Sequence, residues 1–204
     1  MFYGIDVSSH QGTIDWEEVK AAGIHFVVLR AGYGNDIFQM DSCFEANVKG
    51  AAAAGLKIGV YWFSYAVSVE DAEKEAAVCR QVIEPYRENI SYPVAYDYEN
   101  ESWQYSLSQG ISPTSSLVNS MANAFLGAMK ADGWETALYT NNDYCRNIFS
   151  AETLSAWDIW LADYSAIPSM PCEIQQTNSA GMISGVAGNV GTDTSYKDYL
   201  SITE

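Results

Sequence analysis

The segment PVAYDYE at residues 93–99 predicts a β-strand that ends in two acidic side chains. Successive side chains of a strand point to opposite faces, so Ala95, Asp97 and Glu99 share one face. The residues before the acids are apolar or aromatic, which is typical of a buried strand. We therefore expect two carboxyl groups to lie side by side where a core strand ends.

Short strand-like segments of the same kind recur through the whole chain, and helical segments separate the first ones. Strands are predicted at residues 3–7, 25–31, 57–63, 93–98, 136–139, 158–162, 172–177 and 188–192. Helices are predicted near residues 15–23, 41–55, 72–86, 112–128 and 143–149, with an N-cap at Ser112 and a proline at the next position.

Alternation of strands and helices predicts parallel pairing, and eight such strands suggest a closed barrel. The predicted fold class is α/β: an irregular TIM-like barrel with eight strands and five helices, (β/α)5(β)3. An open doubly wound sheet is the alternative, but no glycine-rich phosphate loop follows the first strand. We expect one domain over residues 1–204, since no linker-like stretch divides the chain.

Acidic side chains stand repeatedly at the predicted carboxyl ends of the strands, where such barrels hold their active sites. They are Asp6, Asp97, Glu99, Asp163 and Asp193. Neighbouring carboxyl groups near an apolar core hold a proton more strongly, and glycoside hydrolysis needs both a proton donor and a nearby negative charge. The alternative interpretation is that Asp97 and Glu99 are solvated loop residues or metal ligands.

Aromatic side chains also collect near the predicted strand ends, where sugars could stack on them. These residues are Tyr33, Tyr61, Trp62, Tyr65, Trp103, Tyr139 and Trp160. Ordinary core packing is the alternative explanation for such rings.

The overall composition excludes some classes of partner. Twenty-six acidic against ten basic residues give a net charge of −16, which disfavours nucleic acid and anionic lipid surfaces. No apolar run is long enough to span a bilayer, and the first residues lack signal-peptide features, so any export signal is expected to have been removed or never to have existed. The four cysteines form no C-x-x-C pair and are predicted to be core residues, with a disulfide left open.

An ordered set of motifs then resembles the lysozymes of glycoside hydrolase family 25 over nearly the whole chain. The motifs are GIDVSSHQG at 4–12, IDW at 14–16, FVVLRAG at 26–32, GVYWFS at 59–64, PVAYDYE at 93–99, YTN at 139–141 and IWLADY at 159–164. The resemblance implies cleavage of the β-1,4 bond between N-acetylmuramic acid and N-acetylglucosamine in peptidoglycan. It also implies that Glu99 is the catalytic acid and that Asp97 and Asp6 flank the reacting sugar.

The resemblance further implies that Tyr61 and Tyr139 line the substrate cleft, and we expect substrate contacts from Phe63, Trp160 and Asp163 as well. No metal or cofactor is expected, since carboxylates alone can carry the reaction. The partners would be peptidoglycan glycan strands, the protein a monomer, and its location extracellular or in the cell wall. Members of the family are thought to retain configuration through the substrate's N-acetyl group, but the sequence leaves a retaining, inverting or substrate-assisted course open.

The C-terminal part departs from the family pattern, which has a Trp-Gln-Tyr segment and later a Val-Asp pair. Ile174 and Gln176 stand in place of the aromatic residues, and Gly191 stands in place of the acid. Asp193 lies two positions further along and either supplies the missing carboxylate or is a solvated turn residue. A weakened glycan-binding module and a hydrolase with shifted specificity are therefore the alternatives to an active muramidase.

Overall fold

The computed structural model describes residues 1–199, so the last five residues of the predicted domain lie outside the described part. Eight strands, hydrogen-bonded in chain order and closed between the first and the last, form a barrel. They are β1 (Phe2–Val7), β2 (Phe26–Tyr33), β3 (Lys57–Phe63), β4 (Ile90–Asp97), β5 (Thr136–Asn141), β6 (Asp158–Ala162), β7 (Ile174–Gly181) and β8 (Val190–Ser195). The predicted α/β barrel is confirmed.

Helices surround the barrel wherever the chain connects its first six strands. They are α1 (Trp16–Ala21), α2 (Phe44–Ala53), α3 (Val69–Ile83), α4 (Asn100–Ser108), α5 (Ser115–Ala131), α6 (Asn142–Asn147) and α7 (Ala151–Ala156). Helices α4 and α7 add to the five that the sequence predicts. Helix α5 begins later than expected, because the Thr114 hydroxyl, and not Ser112, caps it by accepting a hydrogen bond from Leu117 N at 3.1 Å.

The direction of the last strand differs from the expectation of uniform parallel pairing. Strands β1 to β7 pair in parallel, whereas β8 runs antiparallel to both β7 and β1. A short connection without a crossover helix joins β7 to β8, which permits only the antiparallel arrangement. Asp193 therefore lies within β8 and not after it, opposite Gly4 of β1.

Side chains alternate between the inside of the barrel and the layer beneath the helices. Inside, Phe26 stacks on Tyr92 with ring centroids 4.6 Å apart, and Gly4 leaves room for the Phe26 ring. The larger apolar cluster lies outside the barrel and includes Val27, Leu29 and other buried residues packed beneath the helices. The lower barrel is thus filled by rings, and the polar side chains collect at its other end.

Two further features bear on the sequence predictions. All four cysteines are free; Cys79 is fully buried, while Cys145 and Cys172 pack at the edge of the core. Within residues 1–199, no helix combines the length and the apolar character needed to cross a membrane.

Candidate active site

Three strands bring four carboxyl groups together inside the open end of the barrel. Asp6 comes from β1, Asp97 is the last residue of β4, Glu99 follows two residues later at the start of α4, and Asp193 comes from the middle of β8. The negative charge of Asp6 raises the pKa values of Asp97, Glu99 and Asp193. The four residues predicted to be catalytic therefore share one site.

The pair Asp97 and Glu99 lies at the junction of β4 and α4. Asp97 is buried, whereas Glu99 is partly accessible and its backbone N–H donates to Ser102 Oγ at 3.1 Å at the start of the helix. Burial raises the pKa of both carboxyl groups, and the negative charge of Glu99 raises the pKa of Asp97 further.

The second pair, Asp6 and Asp193, lies across the barrel and is held by neighbouring side chains. Gln176 Nε2 donates to Asp6 Oδ2 at 2.7 Å, and its Oε1 accepts from Tyr139 OH at 3.1 Å. Burial raises the pKa of Asp6 to about 6, although the Gln176 amide and Asp193 oppose the shift. Gln176 thus orients one of the carboxylates.

Gly191 explains how Asp6 fits beside β8. It pairs with Asp6 across the strands, and a Cβ at this position would lie 1.9 Å from Asp6 Oδ2. The Asp6 carboxylate therefore occupies the volume that a side chain at position 191 would need. Asp193, the acid of β8, is two residues further along this strand, so its side chain faces the same side as position 191 and lies deeper in the barrel.

Two carboxyl oxygens within the described chain are buried without a hydrogen-bond donor: Asp97 Oδ1 and Asp193 Oδ2. A carboxylate only accepts hydrogen bonds, but a protonated carboxyl group donates one. Asp97 interacts with the Glu99 carboxyl group and Asp193 with that of Asp6, and the pKa values of Asp97 and Asp193 are raised well above the ordinary range. A proton retained in each pair satisfies both buried oxygens.

Arg30 lies close to these acids. The Arg30 Nε donates to Asp41 Oδ2 at 2.7 Å, and its Nη2 donates to Ser9 Oγ at 3.0 Å. The charge of Arg30 lowers the pKa of Asp97, but burial and the neighbouring acids outweigh this effect. Because Asp41 already neutralises Arg30, the site keeps its acidic character.

The predicted aromatic contacts divide into accessible and buried rings. Tyr61 is partly accessible, whereas Tyr139, which pairs with Asp97, and Trp160 are buried beside the carboxyl groups. Trp160 Nε1 donates to Asp193 Oδ1 at 2.8 Å, and its ring meets that of Tyr139 edge-on with centroids 4.6 Å apart. In this structure Trp160 therefore holds Asp193 in place, and its buried ring offers no open face for a sugar to stack on.

Phe63 and Asp163 lie on opposite sides of the carboxyl groups. Phe63 pairs with Asp97 across β3 and β4 and lines a cavity at the barrel mouth. The buried Asp163 carboxylate accepts hydrogen bonds from Ser165 N at 3.0 Å and Ser169 N at 2.8 Å. Hydrogen bonds from the side chains of Ser169 and Ser165, together with these backbone bonds, lower the pKa of Asp163, and they indicate that Asp163 orders the loop after β6.

Two of the aromatic rings that the sequence predicts near the strand ends lie in the core. Trp62 is fully buried outside the barrel and Trp103 packs against the same core, so core packing explains these two rings. The described residues contain no group of three or more His, Cys, Asp or Glu side chains placed to hold a metal ion.

Sequence reasoning missed the roles of Gln176 and Arg30. In the sequence, Gln176 stands out only as a departure from the family pattern, although a buried polar side chain within a barrel strand needs a hydrogen-bond partner. Arg30 gave a similar signal, since a charge within the apolar segment 26–32 requires an opposite charge nearby.

The arrangement of acids at the mouth of an eight-stranded barrel agrees with the comparison with known families. Residues 5–184 match the family described as glycosyl hydrolases family 25. The chain belongs to glycosyl hydrolase family 25. The family 25 match extends from β1 through β7 and includes three of the four carboxyl groups, and it ends before β8.

Several lysozymes and one autolysin are similar to this family 25 chain. The autolytic lysozyme of Clostridium acetobutylicum is 27% identical over 93% of the chain, and lysozyme M1 of Streptomyces globisporus is 26% identical over 92%. The modular autolysin LytC of Streptococcus pneumoniae, solved with a synthetic peptidoglycan ligand, has a TM-score of 0.83 and 25% identity over 94% of the chain. The chain spans 54%, 65% and 46% of the lengths of these three proteins, respectively.

Proposed function

We propose that this protein is a peptidoglycan hydrolase that cleaves the β-1,4 bond between N-acetylmuramic acid and N-acetylglucosamine. The observation that carries the proposal is the pair Asp97 and Glu99, whose raised pKa values keep a proton at the mouth of the barrel. Family membership and the likeness to two lysozymes support the choice of substrate.

Glu99 is the proton donor in this proposal because it is the more accessible member of its pair. The pair holds one proton, which Asp97 passes to Glu99. Glu99 donates it to the glycosidic oxygen as the bond between that oxygen and the sugar carbon breaks, with the bonding electrons leaving on the oxygen, and Asp97 is then negative. The remaining sugar acquires oxocarbenium character, which the negative charge of Asp6 and Asp97 stabilises. A water molecule completes the hydrolysis.

The second pair, Asp6 and Asp193, has a positioning role in this proposal. Asp193 keeps a proton and offers it to Asp6, while Gln176 donates to the other side of Asp6. Asp6 thereby remains oriented toward the cleft. Tyr61 pairs with Ala95 and Phe63 with Asp97 across β3 and β4, and these two rings form the proposed wall of the sugar site.

The protein would act as a monomer on glycan strands outside the cell or in the cell wall, without a metal or cofactor. Incubation of purified protein with peptidoglycan tests the activity. We expect new reducing ends, and mass spectrometry should identify N-acetylmuramic acid at those ends. New ends that carry only N-acetylglucosamine would contradict the assigned bond, whereas glycan binding without any new reducing ends would identify a binding module.

A further inference from the structure

Two adjoining cavities lie beside α4, and the inner one includes Phe63, which pairs with Asp97 across β3 and β4. The inner cavity, of about 390 Å³, is lined by His10, Arg30 and Phe63 together with three residues that also line the outer cavity. The outer cavity, of about 590 Å³, shares Tyr33, Tyr65 and Glu101 with it and continues to Tyr105. We call this outer cavity, defined by the three tyrosines, the tyrosine groove.

We propose that the tyrosine groove is a distal subsite that binds an uncharged N-acetylhexosamine unit of a glycan strand. The proposal rests on the proposed function for the identity of the strand, and it adds a separate place where that strand is held. The volume of the groove falls within the range of about 300–1,000 Å³ that is typical of small-ligand sites.

The aromatic lining is the first argument for a sugar. Tyr65 lies between the two other rings, with centroids 5.9 Å from Tyr33 and 4.9 Å from Tyr105. Tyr105 keeps 39% of its surface exposed even though it is part of this cluster. Exposed aromatic rings with an apolar face and a hydroxyl edge suit the mixed surface of a sugar.

The polar lining is the second argument, since it favours an uncharged ligand. Asn35 and Gln104 border the groove, and both residues are exposed, so their side-chain amides are accessible to a ligand. The lining residues include Glu75 and Glu101 but, as far as the described residues extend, no lysine, arginine or histidine. Carboxylate groups of a peptide stem would be repelled by the exposed Glu101, whereas hydroxyl and acetamido groups would find donors and acceptors.

The groove is also fixed in place before any ligand arrives. Tyr65 N donates to Glu75 Oε1 at 2.7 Å, and the Tyr65 hydroxyl donates to Glu101. Glu75 is fully buried, so its carboxyl group anchors the loop after β3 to helix α3. A preorganised ring loses less conformational entropy on binding than a mobile one.

The position of α4 connects the groove to the site of bond cleavage. Glu99 precedes the first residue of this helix, and Tyr105 lies six positions further along. At a rise of about 1.5 Å per residue, Tyr105 lies roughly 9 Å from Glu99 along the helix axis. A glycan strand that follows α4 away from Glu99 therefore reaches the groove with a sugar beyond the one that reacts.

A binding experiment with catalytically inactive protein tests the subsite. Peptide-free glycan strands of defined length would be titrated into the Glu99→Gln variant and into the Glu99→Gln/Tyr105→Ala double variant by calorimetry. We expect the second substitution to weaken binding of long strands about 3- to 10-fold, as for loss of one aromatic contact, and to leave short strands unaffected. Tyr3→Ala, in place of Tyr105→Ala, is the matched control because Tyr3 is exposed at the start of β1.

The outcomes separate this proposal from the proposed function. Equal binding of long strands by the Glu99→Gln protein with and without Tyr105→Ala would overturn the subsite, and so would an effect seen only with peptide-bearing strands. Unmutated protein that releases no reducing ends would refute the hydrolase. Length-dependent binding that requires Tyr105 would still establish the subsite in that case.

Discussion

At the scale of single residues, Gly191 is the position that most tightly constrains the acidic site. Its substitution by alanine would place a methyl group 1.9 Å from Asp6 Oδ2 and force the carboxylate to move. Since a misplaced catalytic group costs about 10²-fold, we expect Gly191→Ala to lose activity on that order in a reducing-end assay.

Gly127→Ala is the matched control for this substitution. A Cβ at Gly127 in α5 meets no atom within 4 Å, so activity should stay unchanged while helix propensity improves. Equal activity of Gly191→Ala and the unmutated protein would show that the position of Asp6 is not critical.

The protonation of Asp193 gives a second prediction at this scale. Asparagine resembles a protonated aspartate, since its oxygen can accept from Trp160 Nε1 and its amide can donate toward Asp6. We expect Asp193→Asn to keep kcat/KM within about 10-fold, whereas Asp193→Ala leaves the Trp160 N–H unpaired, at about 1–3 kcal/mol, and loses more. If both variants lose the same activity, Asp193 acts as a charge.

The sequence predicts those relations within the site that depend on the spacing of neighbouring residues along one strand. The spacing of Asp97 and Glu99 on one strand placed both acids on one face. The contact between Gln176 and Asp6 joins positions that are 170 residues apart, and no periodic pattern reveals such a pair. The depth of Asp193 also depended on the direction of β8, which alternation alone does not indicate, because parallel and antiparallel strands have the same side-chain period.

At the scale of elements, α4 shows why a helix next to the active site escaped prediction. Its buried positions are Ser102 and Ser106, which lie four residues apart on one face. Helix prediction relies on apolar residues at that spacing, and serine gives no such signal. Helix α7 is only six residues long and buries only Thr153, so it gives little periodic signal either.

Helix α3 provides a prediction about stability through Glu75. Burial raises the pKa of Glu75 to about 8 in the folded protein, although Ser64 Oγ and Tyr65 N donate to its carboxyl group. An unfolded chain releases this proton near the ordinary value of 4.5. The free energy of unfolding should therefore fall as the pH rises from about 4.5 to 8, by at most about 1.4 kcal/mol per pH unit from this group.

Glu75→Gln should reduce this slope, because glutamine can accept from Tyr65 N and donate to Ser64 without titrating. Urea denaturation at several pH values measures the effect. Glu73→Gln, at an exposed position of the same helix, controls for the loss of one negative charge. A slope that is the same in Glu75→Gln as in the unmutated protein would contradict the assignment of a buried proton to Glu75.

At the scale of the whole molecule, the net charge of −16 affects how the protein meets its substrate. Walls that carry anionic polymers should repel it, and salt shortens the screening length from about 30 Å at 0.01 M to about 10 Å at 0.1 M. We expect hydrolysis of such walls to speed up severalfold over this range. Walls from which the anionic polymers have been removed are the control, and a rate on intact walls that falls steadily with added salt would contradict the prediction.

The barrel as a whole was predictable because eight strand segments and their helices recur in order, and closure follows from that count. The proposed activity depends most on one group within it, the Glu99 carboxyl, so the direct measurement is reducing-end release from peptidoglycan by Glu99→Gln. Loss of a general acid costs about 10²- to 10⁴-fold, and we predict a loss in that range with an unchanged melting temperature. Glu152→Gln, at an exposed position of α7, is the charge control. Undiminished release by a folded Glu99→Gln protein would contradict the assignment of Glu99 as the proton donor.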